Sequence, residues 1–141
     1  MELPRRLFDR IVAHARAERP LEACGVVAGA GGAPVGVYPI ANVERSPVRY
    51  RFDEREQRRV FREIEDRGWD LLAFFHSHPD SPAEPSSTDR MQAHRPDPLT
   101  GEPVAVYPST RYLILSLAGE PELRCFRFAR GRAVEEEVRI S

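Results

Sequence analysis

Residues 76–89 read HSHPDSPAEPSSTD, and His76, His78, Ser86 and Asp89 stand in that stretch at spacings that suit three-quarters of a tetrahedral metal site. Just ahead lies Leu71-Leu72-Ala73-Phe74-Phe75, a short apolar run with Gly68 before it and Pro79 behind, which reads as a buried strand ending at the two histidines. Side chains two apart on a strand share a face, so both imidazoles can address one ion while Ser77 faces away. Pro85 then precedes Ser86-Ser87-Thr88-Asp89, a first helical turn on which residues three apart are neighbours, so Ser86 and Asp89 can converge. Two histidines and one carboxylate suit zinc with water in the fourth position, the pattern of a hydrolytic rather than a closed structural site. Ser86-x-x-Asp89 equally has the form of a helix capping box, which by itself would account for both residues.

Taken together, HxHP followed by SxxD at a strand-to-helix junction resembles the motif of the JAMM/MPN+ (Mov34/PAD-1-like) zinc metallopeptidases, in which a distant upstream glutamate precedes HxH, seven residues and SxxD. The segment Pro20-Leu21-Glu22-Ala23-Cys24-Gly25-Val26-Val27-Ala28-Gly29 resembles the family's glutamate-bearing segment, and Asn42 to Pro47 with Tyr50 resembles the stretch ahead of its second helix. Alone, Glu22 would read as a solvated carboxylate between helix and strand. The resemblance implies instead that Glu22 is the general base, that His76, His78 and Asp89 hold one zinc ion per chain, and that Ser86 hydrogen-bonds the oxyanion. It also implies the JAMM/MPN, cytidine-deaminase-like fold. It covers nearly the whole chain and is closest to bacterial proteins that cleave adducts from ubiquitin-like sulfur-carrier proteins, including the type that releases cysteine during its synthesis.

The expected partner is therefore a carrier protein ending in Gly-Gly, its extended tail laid beside the active-site strand. A deconjugase acting on protein lysines is the alternative within enzymes, and a non-catalytic MPN scaffold the alternative outside them. The stretch from Ala93 to Thr110 is Pro-rich and longer than the cysteine-releasing type leads one to expect. It is the candidate flap over the tail.

The rest of the chain reads as scaffold. Leu7, Phe8, Ile11, Val12 and Ala15 recur at helical spacing between Pro4 and Arg19, and Pro20 ends that helix. Val26–Ala28 and Val35–Ile40 flank a glycine-rich turn and read as a hairpin. Asp53 can cap a second helix running to Arg67, with Glu56 at the capping-box position and Val60, Phe61 and Ile64 as its apolar stripe. Three strands follow, Tyr112–Leu117, Leu123–Phe128 and Ala133–Val138, separated by turns at Gly119 and Gly131. The fold class is thus α/β, a mixed sheet with packed helices, and 141 residues suit one domain over 1–141.

Composition narrows the function classes. A net charge of −1 lacks the basic footprint of a general nucleic-acid binder, and all 21 basic residues are arginine. No apolar run is long enough for a bilayer and no apolar leader follows Met1, so the expected location is the cytoplasm, with no membrane partner. Cys24 and Cys125 read as small buried hydrophobes. His14 reads as a boundary residue of the first helix, and His94 as a residue near the cleft without ligand spacing. Oligomeric state is not legible in the sequence.

Overall fold

The computed structural model describes residues 1–141. A six-stranded sheet carries the molecule, in the order β3-β2-β4-β7-β8-β9. Its strands are β2 (Cys24–Ala30), β3 (Ala33–Ile40), β4 (Asp70–His78), β7 (Arg111–Ser116), β8 (Glu122–Ala129) and β9 (Arg132–Glu136). Only β4 and β7 run parallel; the remaining neighbours are antiparallel. This is the mixed α/β architecture expected.

Alternation along β4 sorts its side chains onto two layers. Ala73 and Phe75 face α1 (Arg5–Glu18), whose Leu7, Ile11, Val12 and Ala15 form the apolar stripe, in a core completed by Val27, Leu113, Leu115 and Cys125. Phe74 faces the other way, into a core with Val60 and Ile64 of α2 (Glu54–Asp66), Val26, Tyr112 and Phe128. A helix on each face therefore buries the sheet from both sides, and strands buried on both faces read as continuous apolar runs. Asp53 caps α2 as expected, its carboxylate accepting from the Glu56 amide at 2.9 Å. The reciprocal bond from Glu56 is not made, because the Asp53 amide already donates to the Ala41 carbonyl at 3.0 Å.

Two pairings lie outside what the sequence indicated. Strands β1 (Glu2–Leu3) and β10 (Arg139–Ile140) pair in parallel and bring the two ends of the chain together. Within the Pro-rich stretch, β5 (His94–Pro96) and β6 (Pro103–Ala105) form an antiparallel ribbon. Its turn is built on Asp97, whose carboxylate accepts from the amides of Leu99 and Thr100 at 2.8 and 3.1 Å. No helix is long and apolar enough to cross a membrane.

Candidate metal centre

His76 and His78 lie at the end of β4, as expected, on the face shared with Phe74. Opposite them, α3 (Ser87–Gln92) begins at Ser86. Its first turn presents Asp89 to the two rings. The Nε2 atoms of His76 and His78 are 3.2 Å apart, and each is 3.1 Å from Asp89 Oδ2. Ligand bonds of about 2.0–2.1 Å in a tetrahedron imply edges of about 3.3 Å, so the triangle has the size of one face of a zinc site.

Its chemistry fits as well. His78 donates from Nδ1 to the Pro82 carbonyl at 2.7 Å, which leaves its Nε2 as a lone pair. A carboxylate oxygen is also an acceptor, so with both imidazoles neutral only His76 Nε2 can bring a proton to these three mutually close atoms, all buried from solvent. A cation resolves that crowding. The same groups are electrostatically tuned: burial lowers the pKa of His76, whereas at His78 the bonds to Asp89 and Pro82 outweigh burial and raise it. Burial alone would raise Asp89, but the adjacent imidazoles and the Ser86 amide hold it well below the usual carboxylate range.

The helix-capping reading and the ligand reading of SxxD turn out to be compatible. Ser86 Oγ accepts from the Asp89 amide at 3.0 Å, and the Ser86 amide donates to Asp89 Oδ2 at 2.9 Å. The box fixes the carboxylate so that the same oxygen faces both histidines. Ser86 uses only a lone pair in this, which leaves its hydroxyl proton free to donate.

Glu22 is not solvated. It is 3% exposed, with Oε2 4.0 Å from His78 Nε2, and burial pushes its pKa up to about 8. Its backbone is gripped on three sides. The Glu22 amide donates to the Ser46 carbonyl at 2.9 Å, Asn42 Nδ2 donates to the Glu22 carbonyl at 3.1 Å, and the next amide, Ala23, donates to Ser77 Oγ at 2.8 Å. The fold thus brings together all five residues singled out in the sequence.

A family model described as "Prokaryotic homologs of the JAB domain" matches residues 4–129. The chain belongs to the prokaryotic JAB family. It is 38% identical over 138 residues to the CysO-cysteine peptidase of Mycobacterium tuberculosis, covering 95% of this chain and 86% of that protein. It is 40% identical over 95 residues to the desampylase of Haloferax volcanii, covering 62% of this chain and 68% of that one. A solution structure from Desulfitobacterium hafniense superposes with a TM-score of 0.81 at 33% identity, over 99% of this chain and 92% of that chain. A JAB1/MPN domain protein from Archaeoglobus fulgidus shares the fold, with a TM-score of 0.60 at 19% identity over 99% of each chain. As a JAB protein with peptidase relatives, the chain is a hydrolytic enzyme.

Three other residues have roles that the sequence reading did not give them. His94 has a structural role. Its Nδ1 donates to the Arg90 carbonyl at 2.6 Å and its Nε2 accepts from the Gly131 amide at 2.9 Å, so it ties the ribbon to the β8–β9 turn and has no nitrogen left for proton transfer. Ser77 was read only as facing away, yet it clamps the segment carrying Glu22; its position between two inward histidines was the available signal. Tyr50 stacks on the His76 ring with centroids 4.6 Å apart, a contact no spacing rule could reveal. Cys24 stands opposite His76 in the β2–β4 register, but its thiol donates to the Ile40 carbonyl at 3.3 Å, and burial with nearby carboxylates pushes its pKa far up, which makes it inert. His14 is a boundary residue as expected, set edge-on to Phe75.

Proposed function

We propose that this chain, acting as one domain over residues 1–141, is a zinc-dependent peptidase. In this reading it hydrolyses the amide or isopeptide bond at the C-terminal glycine of a ubiquitin-like sulfur-carrier protein, releasing cysteine. The observation that carries the chemistry is the triangle of His76, His78 and Asp89 ligand atoms beside a buried carboxylate. Cysteine as the leaving group is supported by the near full-length similarity to a protein named for that reaction.

Zinc, when bound, supplies a Lewis acid for a carbonyl oxygen and lets a water lose its proton near pH 7 rather than near 15.7. Glu22 takes that proton and delivers it to the leaving amine. A carboxylate whose pKa burial has lifted toward neutrality suits both halves of the transfer, which is typically worth about 10²–10⁴-fold. Ser86 donates its free hydroxyl proton to the developing oxyanion. The serine is no nucleophile, since no base stands behind its Oγ.

Tail binding by pairing with the active-site strand is ruled out by the sheet. Strand β4 is flanked by β2 on one side and β7 on the other, and Ser77 and His78 pair with Leu115 and Ser116, so it offers no free edge. The exposed ribbon β5–β6, paired only with itself, has free edges to which an extended strand can add. A carrier tail ending in Gly-Gly fits this reading because glycines let a backbone approach a buried centre closely.

A second reading, release of a ubiquitin-like modifier from lysine, is favoured by the similarity to the desampylase, though over less of the chain. The assay offers the zinc-loaded protein a carrier bearing a C-terminal cysteine and the same carrier linked to a lysine side chain. Cysteine release is expected to dominate, and His76→Ala and Asp89→Ala are expected to lose both metal and cleavage. Cleavage of the lysine-linked form alone would replace cysteine release with deconjugation. Full metal retention in both variants would remove the metal assignment.

A further inference from the structure

The two candidate histidine ligands are held in different ways. A metal-bound imidazole ordinarily donates its second nitrogen to a carboxylate, a carbonyl or water, and that bond fixes the ring. His78 follows the rule through the Pro82 carbonyl. His76 does not: its Nδ1 is buried and has no partner. What does hold the His76 ring is Tyr50, stacked at a centroid distance of 4.6 Å and an interplanar angle of 25°. Stacking of this kind holds a ring beyond what the buried area alone provides. It strengthens when the imidazole gains positive character, as a cation-bearing ring does over an electron-rich face.

Tyr50 is itself anchored from both sides. Asn42 Nδ2 donates to the carbonyl of Arg49 at 3.1 Å, and the amide of Arg51 donates to Asn42 Oδ1 at 3.1 Å, so one side chain brackets the backbone on either side of Tyr50. Its amide oxygen also accepts from Glu44, and its amide nitrogen also reaches the Glu22 carbonyl. The ring therefore sits on a loop fixed to the backbone of the candidate base. Phe52 and Phe74 complete the aromatic surround, with Tyr50 5.7 Å from Phe52 and Phe52 5.9 Å from Phe74.

We infer that Tyr50 is a positioning residue that orients His76 for the metal by stacking, in place of the missing hydrogen bond, and that Asn42 holds Tyr50 there. The inference rests on the reading of His76, His78 and Asp89 as metal ligands. Zinc affinity, measured by competition with a chromogenic chelator, tests it on the parent, Tyr50→Phe, Tyr50→Leu and Asn42→Ala. Tyr50→Phe keeps the ring and should bind zinc within about twofold of the parent. Tyr50→Leu should bind about tenfold or more weakly, in the range found when a supporting partner of a ligand is lost. Asn42→Ala should shift affinity in the same direction.

Equal affinity in the parent and Tyr50→Leu overturns the inference while leaving the metal site intact, as does a loss in Tyr50→Phe as large as that in Tyr50→Leu. A parent that binds no zinc overturns the metal reading and this inference with it. Should Tyr50→Leu fail to fold, the metal-free parent decides by NMR: a stacked ring shifts the His76 carbon-bound protons upfield of those of His78. Their coincidence would overturn the stack.

Discussion

Glu22 Oε1 and Asp89 Oδ1 are buried carboxylate oxygens with no hydrogen-bond partner in the protein. Leaving such atoms unpaired costs on the order of 1–3 kcal/mol each, and more when charged, so a fold keeps them where something other than protein completes them. Both sit at the one place where ligand atoms already converge. The two oxygens nevertheless belong to residues with different duties, which a single substitution separates. Glu22→Gln preserves shape and leaves the ligand triangle untouched, so the variant should retain zinc by elemental analysis and lose about 10²–10⁴-fold in turnover. Activity near that of the parent would place the base elsewhere. His94 is not a substitute, because both its ring nitrogens are engaged.

At the level of elements, strand β4 does two jobs through one periodicity. Phe75 and Ser77 serve the α1 face, and Phe74, His76 and His78 the other, so packing and chemistry are interleaved along a single strand. Its register against β2 depends on Gly25, where an added Cβ would run into the Phe75 ring and the Tyr38 carbonyl. Backbone cannot yield cheaply. Gly25→Ala is therefore expected to lower stability by about 1–3 kcal/mol, read as a fall in unfolding temperature; an unchanged midpoint would mean that the strands separate easily there. The ribbon β5–β6 is a different kind of element, anchored at its base by His94 and by the Val106 amide on the Ala93 carbonyl, and exposed at its tip, where Leu99 is 94% accessible. Replacing Asp97–Glu102 by a two-residue turn removes the tip and spares the anchors. The expected result is a raised KM for the carrier substrate with zinc content unchanged, and an unchanged KM would exclude the ribbon from tail binding.

On the scale of the whole molecule, the centre is held by segments from distant parts of the chain, so metal occupancy and folding should be linked. A ligand present at 100 times its Kd stabilises the native state by about 2.7 kcal/mol, which for a chain of this size is on the order of 10 °C in unfolding temperature. Chelator-treated protein should unfold lower by about that amount and recover with added zinc; identical midpoints with and without metal would show that nothing binds the native state selectively. The same geography explains what could be read from residues alone. His76, His78, Ser86 and Asp89 were legible because two short-range periods, the strand and the first helical turn, fix their directions within fourteen residues. The two helices, the β2–β3 hairpin and the last three strands were legible for the same reason, being patterns of apolar spacing and turn residues. Glu22 was recognised through family resemblance, since nothing local distinguishes a buried carboxylate from a solvated one. Tertiary structure alone decided that Ser77 clamps Ala23 from 54 residues away, that His94 serves Gly131 from 37 away, and that the chain's two ends pair. It also decided that Tyr50 lies on His76 and that β4 has no free edge. Those contacts join residues whose separation along the chain exceeds any helical or strand period, so they arise only when the packed sheet brings the segments together.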